Sequence, residues 1–252
     1  MLMENKKRLN IGIISNLPGV GKTGLARNQG ALLPMLYDLN KYNLFFLAQG
    51  ANCGDPNFQK LPIKVEGVFR NFDQVRFQQD DGYKRHVAYG NCSCEEFVVK
   101  NRLDIVIHSD DIWSANFQNY CSSDWFQNVK QNFIQHSTCD SLPILQDFLD
   151  WGKSGCQMWF WTSFAEKELK QINPELYKHC RTVHGAINTE NFKPLLRHER
   201  LELRHKFGIQ DDEKVFIYLS RNQLRKVGFW ADIEAFAKFK KRHPTKKIKL
   251  LC

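Results

Sequence analysis

The 252-residue sequence has no uninterrupted apolar stretch near the roughly twenty residues that a membrane-spanning helix needs. Residues 1–9 also lack the charged-then-apolar pattern of an export signal. These two absences argue against a transmembrane or secreted class, and they predict a soluble, cytoplasmic protein.

Cysteine is plentiful, but the arrangements that would give it a metal or disulfide role are missing. The eight cysteines are scattered, which favours a reducing compartment over the disulfide framework of a small secreted domain. Cys92-Ser93-Cys94 is the one close pair in the sequence, and no second Cys or His pair follows at zinc-finger distance. No paired-aspartate motif stands out, so we predict no metal site.

The net charge of +9 comes from the C-terminal part of the chain. Residues 1–192 contain 20 Lys and Arg against 20 Asp and Glu, whereas residues 193–252 contain 16 against 7. This excess indicates an anionic partner, which could be nucleic acid, a membrane surface or the diphosphate of a nucleotide. A solvated helix face is the ordinary alternative for the basic run at 238–249.

The N-terminal residues have the pattern of an α/β sheet. With 42% apolar and 13% aromatic residues, the chain can bury a sizeable core. An apolar run at 9–15 predicts a buried strand, and a glycine-rich loop follows at 16–24. Helical spacing then covers 25–41, before a second apolar run at 42–48. This order opens a doubly wound sheet, which binds ligands at the carboxyl ends of its strands.

The middle of the chain continues this alternation less regularly. Strands are predicted at 103–108, 157–161 and 180–183. Ser163 and Glu166 have capping-box spacing and predict a helix that runs to about Ile172. Residues 50–95 have no clean period, so we expect only loops and short elements there.

The pattern restarts after residue 190. A helix from about 196 to 207 stops at Gly208, and a strand follows at 215–219. A polar loop, a helix and the start of a strand at 248–252 complete the chain. Two strands and a helix leave a sheet with an open edge and little buried area. We therefore expect either a partner such as a second chain at this edge, or a C-terminally truncated sequence.

The loop Gly19-Val20-Gly21-Lys22-Thr23 is similar to the phosphate loop of nucleotide hydrolases. The full motif requires glycine at the position of Asn16, and no strand that ends in an acidic magnesium ligand is obvious. Hydrolysis of ATP or GTP is therefore disfavoured. The glycine turn still presents backbone amides at a helix N-terminus, where a phosphate or a sugar can bind.

Four segments, in their order and spacing, resemble glycosyltransferase family 4, a group of retaining enzymes with the GT-B fold of two facing Rossmann-like domains. They are Gly19–Asn28, Thr162–Leu169, His184–Thr189 with Phe192-Lys193-Pro194, and Arg221–Gly228. The resemblance implies a complete N-terminal Rossmann-like domain at 1–190, on the acceptor side. It also implies that 191–252 is the first part of a second Rossmann-like domain, which binds the donor.

The resemblance implies that the chain transfers a sugar from a nucleotide-diphosphate sugar, which is the donor substrate and not a cofactor. Arg221 and Lys226 match the basic pair that holds the donor diphosphate, where fixed cations stabilise the charge of the leaving group. Gly19, Gly21 and Thr23 match the loop that approaches the donor phosphates.

Other site residues are predicted around the expected cleft. His108, Asp110 and Asp111 end a buried strand, and they are candidate catalytic residues, as acceptor contacts or proton acceptors. Surface residues in a turn are the alternative for the two aspartates. His184 and Gly185 lie in the segment that joins the domains, where they line the cleft or shape a hinge.

The paired glutamates of the family would fall beyond Cys252, so we expect this chain to bind donor poorly and to turn over slowly or not at all. A noncatalytic fragment stays open, as does a nucleic-acid or phosphate-binding protein that uses the basic C-terminal segment. No recognised nucleic-acid module occurs, so no specific nucleic-acid partner is expected. The sequence does not identify the donor or the glycan, lipid or protein acceptor, and it leaves a peripheral membrane contact open.

Overall fold

The computed structural model describes residues 8–18, 23–140, 142–219 and 227–252. The chain divides into two compact units, Met1–Asn188 and Thr189–Cys252. Among the helices in the described residues, none is long and apolar enough to cross a membrane.

The first unit contains a parallel sheet. Its strands within the described residues are β1 (Leu9–Asn16), β2 (Tyr42–Asn52), β3 (Lys64–Phe69), β4 (Ile105–Ser109), β5 (Phe133–Ser137), β6 (Gln157–Phe160) and β7 (Cys180–Thr182). They lie in the order β3-β2-β1-β4-β5-β6-β7, and every adjacent pair is parallel. This is the doubly wound arrangement that the sequence predicted.

Helices connect these strands, as parallel pairing requires. They are α1 (Gly24–Asp38), α2 (Gln74–Gln79), α3 (Asp81–Ala88), α4 (Cys94–Lys100), α5 (Phe117–Cys121), α6 (Asp124–Val129), α7 (Gln146–Lys153) and α8 (Ser163–Ile172). Short 3-10 turns occur at Pro56–Lys60, Ile112–Ser114, Lys130–Asn132 and Leu176–His179.

Two apolar clusters pack on the sheet because side chains alternate between its faces along each strand. One cluster contains Ile11 and Ile13 of β1 with Leu33 of α1. The other contains Ile14 of β1 with Phe97 of α4 and extends to Trp151 of α7. Burial on both faces explains why β1 is apolar along most of its length.

Aromatic rings concentrate around Trp151, which is fully buried. Its ring centroid lies 5.1 Å from that of Phe117, 5.5 Å from Phe133 and 5.9 Å from Phe126. Offset and edge-on ring pairs at these separations stabilise a core beyond the area that they bury. This cluster joins α5, α6 and α7 to β5.

The second unit pairs β8 (Lys214–Ile217) with β9 (Ile248–Leu251) in parallel, and it includes α9 (Arg197–Lys206) and α10 (Val227–Arg242). Gly208 has a φ of 62°, in the left-handed region, which confirms its predicted role just past the end of α9. Phe216 of β8 packs 5.7 Å from Phe236 of α10, measured between ring centroids. Phe216 nevertheless remains exposed.

The structure confirms the predicted strands and helices, and it corrects one local prediction. The capping box at Ser163 was wrong, because Thr162 is the N-cap residue of α8 and its side chain makes no capping hydrogen bond. Glu166 instead accepts a hydrogen bond from the Thr182 hydroxyl of β7. A tertiary contact therefore takes the carboxylate that the sequence assigned to the helix end.

Candidate active site at the switch point of the sheet

The sheet changes its winding direction between β1 and β4. The chain passes from β1 outward to β2 and β3, returns to β4 on the other side of β1, and continues outward to β7. Connections that leave β1 and β4 therefore diverge, and doubly wound sheets bind ligands in the crevice that results. Ile14 of β1 pairs with His108 of β4, so the predicted strand-end residues lie at this point.

Two buried serine hydroxyls hold the carboxyl ends of three neighbouring strands together. Ser15 Oγ of β1 donates to the carbonyl oxygen of Ser109 at 2.7 Å. Ser137 Oγ of β5 donates to the carbonyl oxygen of Asp110 at 2.6 Å. These bonds fix the backbone that carries Asp110 and Asp111.

Thr23 belongs to a hydrogen-bonded chain on the other side of β1. Its Oγ1 accepts from the backbone amide of Ala26 at 3.1 Å, as an N-cap of α1, and donates to Asn16 Oδ1 at 2.8 Å. Asn16 Nδ2 donates to Gln49 Oε1 at 2.9 Å, and Gln49 Nε2 donates to the carbonyl oxygen of Tyr89 at 3.2 Å. The start of α1, whose amides favour an anion, is thus fixed at the switch point.

His108 and Asp110 are buried beneath the carboxyl ends of these strands, which we call the polar edge of the sheet. Their exposed fractions are 0% and 3%. Burial lowers the pKa of His108 to about 4, although the nearby Gln135 amide opposes this, so the imidazole is neutral at pH 7. Burial raises the pKa of Asp110 to about 7, the Asp111 charge adds to this rise, and the Asp111 amide and Gln49 side chain oppose it. Neither ring nitrogen of His108 nor Oδ2 of Asp110 has a hydrogen-bonding partner among the described residues.

Asp111 is closer to the surface than these two residues. It is half-buried, and its Oδ1 accepts a hydrogen bond from Thr138 Oγ1 at 3.0 Å. A carboxylate that is oriented in this way can accept a further hydrogen bond from a hydroxyl group. Asp111 is therefore the predicted catalytic residue whose position best suits direct contact with a substrate.

His184 and Gly185 lie within the first unit, against α1 and the end of β6. The backbone amide of Ala186 donates to Asn28 Oδ1 of α1, and His184 Nδ1 lies 2.8 Å from the carbonyl oxygen of Trp161. A Cβ atom on Gly185 would lie 2.8 Å from the Trp161 ring, so glycine permits this close approach. The segment after β7 is thereby attached to the helix that begins at the switch point.

The remaining donor-site predictions fall on Gly19, Gly21, Arg221 and Lys226. These four residues lie outside the described part of the chain. Their roles stay predictions.

Several polar residues at the polar edge of the sheet were not predicted from the sequence. Gln135 and His136 come from β5, which was not predicted because only its first two residues are apolar. His136 lies with its Nε2 2.8 Å from the carbonyl oxygen of Val183, and burial lowers its pKa. Asn28 lies in a segment that carried the family resemblance, which was an available signal for its importance.

The close cysteine pair at Cys92 and Cys94 lies at the start of α4. Within the described residues, no cluster of three or more His, Cys, Asp or Glu side chains is arranged to hold a metal ion. Cys94 is completely buried, and burial raises the pKa of its thiol to about 12, although the nearby Tyr120 hydroxyl opposes the shift. A thiol with this pKa is protonated at pH 7.

Comparison with known proteins gives matches in structure but not in sequence. No protein-family model and no curated protein matches the chain. A glycosyltransferase from Rickettsia africae ESF-5 aligns with a TM-score of 0.59 at 16% identity, over 98% of this chain and 68% of that one. The chain has a GT-B-like fold. The seven-stranded parallel sheet of the first unit, built from its described residues, is the Rossmann-like architecture that this fold contains.

A second solved structure supports the same fold. Anabaena HepE in complex with UDP and glucose aligns with a TM-score of 0.54 at 10% identity, over 97% of this chain and 69% of that one. HepE in complex with UDP-glucose aligns with a TM-score of 0.52 at 8% identity. The GT-B-like chain thus spans a little more than two thirds of the length of each of these proteins.

Proposed function

We propose that the chain is a nucleotide-sugar-dependent glycosyltransferase of the family 4 type, which retains the anomeric configuration of the transferred sugar. The observation that carries this proposal is the GT-B-like fold, in which the switch point of the first unit gathers oriented polar groups. A solved structure of this fold is described as a glycosyltransferase, and another contains UDP-glucose. We infer that the donor is a substrate, that no further cofactor is needed, and that the protein acts in the cytoplasm.

In this proposal the first unit binds the acceptor. Thr138 donates to Oδ1 of Asp111. The other carboxylate oxygen, Oδ2, accepts a hydrogen bond from the hydroxyl group of the acceptor sugar or other acceptor. His108 and Asp110 are too buried to touch an acceptor, so they act by positioning the Asp111 backbone and the ends of β4 and β5. His184 and Gly185 shape the segment that leads to the second unit.

The donor diphosphate is bound by Arg221 and Lys226 in this proposal, with the amides of Gly19 and Gly21 and the helix start at Thr23 as further contacts. Arginine supplies two parallel hydrogen bonds to a phosphate, and lysine supplies a compact charge. Both favour the departing diphosphate, on which negative charge develops during transfer.

Donor binding is tested by titrating the protein with UDP and UDP-glucose in a calorimeter. Arg221→Ala and Lys226→Ala are each expected to weaken UDP binding about tenfold, because each removes one charge-assisted contact. Lys241→Ala and Arg242→Ala, which remove exposed cations from α10, are matched controls and should leave binding unchanged. Equal losses in the test and control variants would instead indicate nonspecific attraction to the basic segment.

The role of Asp111 in binding the sugar acceptor is tested with Asp111→Asn. This substitution keeps an oxygen that can accept the hydrogen bond from Thr138, but it removes the negative charge. Transfer from UDP-glucose to an acceptor panel should fall about tenfold or more, since a hydrogen bond to a charged group contributes roughly 1.5–3 kcal/mol. Asp38→Asn, on the exposed C-terminal end of α1, is the control. A wild-type protein that binds UDP but transfers no sugar would favour the noncatalytic alternative.

A further inference from the structure

A cavity of about 420 Å³ lies in the first unit beside the switch point. Its walls come from α3, the turn at Ile112–Ser114, the start of α5 and one face of α7. The volume lies within the range of small-molecule sites, which is about 300–1,000 Å³. None of the residues that line it is assigned to the proposed donor site.

One wall of the cavity is an exposed aromatic surface. Trp113 is 50% exposed although it is a large apolar side chain, and the Tyr89 ring packs edge-on against it at 5.2 Å and 90°. Exposed aromatic rings beside polar groups are common in sites that bind a ligand through one apolar face.

Hydrogen bonds hold this wall in place. Asn91 Nδ2 donates to the carbonyl oxygen of Ser114 at 2.9 Å, and Asn91 Oδ1 accepts from the backbone amide of Asn116 at 2.8 Å. Ser114 Oγ donates to the carbonyl oxygen of Asp111 at 2.7 Å. The turn that carries Trp113 is therefore fixed before any ligand binds, which lowers the entropy cost of binding.

The opposite wall is polar and carries a net negative charge. Asp147 and Asp150 lie one turn apart on α7, and Arg85 of α3 supplies one positive charge. Burial lowers the pKa of His86, with a further contribution from the Arg76 charge, so this histidine is neutral at pH 7. Two carboxylates against one guanidinium disfavour an anionic ligand and favour one that offers hydroxyl groups.

The cavity is connected to the candidate active site through Tyr89 and the Asp111 turn. The carbonyl oxygen of Tyr89 accepts from Gln49, whose side chain is bonded to Asn16 of β1. Burial raises the pKa of the Tyr89 phenol, and the charges of Asp110 and Asp111 raise it further. Ser114 lines the cavity and its Oγ donates to the carbonyl oxygen of Asp111 at 2.7 Å, so one wall of the cavity is bonded directly to the Asp111 turn.

We propose that this cavity binds the acceptor as a neutral saccharide, with a sugar face on Trp113 and sugar hydroxyls on Asp147 and Asp150. The inference rests on the proposed function and names the substrate class of its acceptor side. A sugar ring fits the lining because it combines an apolar face of C–H groups with an edge of hydroxyls. The same lining disfavours a lipid diphosphate or an acidic sugar at this position.

Binding is tested by ligand-observed NMR with glucose, galactose, mannose, N-acetylglucosamine, maltose and cellobiose. At least one neutral sugar should bind, and Trp113→Ala should weaken its binding about tenfold, whereas Trp230→Ala should not. Trp230 is the matched control, since it is 56% exposed but belongs to the second unit. Circular dichroism of each variant checks that the fold is retained.

Charge selectivity provides a second readout. Glucuronic acid should bind more weakly than glucose, and the double substitution Asp147→Asn with Asp150→Asn should reduce this difference. The proposal is overturned if none of the neutral sugars binds, if Trp113→Ala binds as tightly as the wild type, or if glucuronic acid binds more tightly than glucose.

Calorimetry with UDP on the same samples separates this proposal from the proposed function. UDP binding without sugar binding would reject the cavity proposal alone. Trp113-dependent sugar binding without UDP binding would support the cavity as a saccharide site and would reject the nucleotide-sugar donor.

Discussion

Asp110→Asn is expected to make the protein more stable at pH 8 and to make its stability rise more steeply between pH 4 and 6.5. Burial raises the pKa of Asp110 from 3.8 to about 7 in the folded protein. Between these values the folded state holds a proton that the unfolded state has released, so stability falls as pH rises. At pH 8 the ionised, buried carboxylate costs up to roughly 4 kcal/mol, at about 1.4 kcal/mol per pH unit.

His108 has the opposite effect on stability. Burial lowers its pKa from 6.5 to about 4, so between these values the unfolded state binds the extra proton. Stability therefore rises with pH in this range, and the rise largely offsets the fall that Asp110 causes. Asparagine has nearly the same shape and keeps an oxygen for the Asp111 amide, but it cannot ionise. In Asp110→Asn the fall in stability that Asp110 causes is absent, so the rise in stability with pH that His108 causes can be measured alone.

Urea unfolding of the wild type and Asp110→Asn at pH 4.5, 6.5 and 8 measures this effect. Asp38→Asn, at an exposed aspartate, is the control and should follow the wild type at each pH. If Asp110→Asn is no more stable than the wild type at pH 8, then Asp110 does not carry an ionisation cost in the folded protein. That result would show that the pKa of Asp110 is not raised in the folded protein.

Gly67→Ala is expected to destabilise the first unit by about 3 kcal/mol, because overpacking against rigid backbone cannot relax. Gly67 of β3 pairs with Ala48 of β2, just where the register of this pair becomes irregular. A Cβ atom at Gly67 would lie 2.5 Å from the carbonyl carbon of Asn52 and 2.7 Å from the carbonyl oxygen of Ala51. These are backbone atoms of a paired strand, so either the alanine or the strand must move.

The displacement would also reach the candidate active site. Gln49 follows Ala48 in β2, and its side chain connects Asn16 to Tyr89. Gly67→Ala should therefore reduce both stability and sugar binding. Gly24→Ala is the control, because nothing lies within 4 Å of a Cβ atom there and the residue begins α1. Its stability should stay within about 1 kcal/mol of the wild type. Equal stability of the two alanine variants in urea would contradict the prediction.

The sequence identified those elements whose signal is local. β1, β2 and β4 are apolar because both faces of a central parallel strand are buried, and this appears directly as apolar runs. α9 ends at Gly208 because a left-handed residue is needed there, and glycine adopts that conformation at low cost. His108 lies in β4 and Asp110 and Asp111 follow it, which is why the sequence predicted these three as candidate site residues.

β5 shows what the sequence did not reveal. Gln135, His136 and Ser137 are buried polar residues, so the strand has no apolar pattern to detect. Gln135 Nε2 donates to Ser137 Oγ at 2.8 Å, Ser137 donates to the carbonyl oxygen of Asp110, and His136 contacts the carbonyl oxygen of Val183. These partners are distant in the sequence, and only the fold brings them together.

The sequence by itself thus determined the doubly wound α/β class and the strand ends where polar chemistry is placed, because burial and turn geometry constrain residues locally. Tertiary structure alone decided which strand-end residues are buried and which can meet a substrate. It placed Asp110 beneath the edge and Asp111 nearer the surface, although the two are adjacent and chemically identical. It also formed the cavity at Trp113, whose walls come from separate segments and have no common sequence pattern.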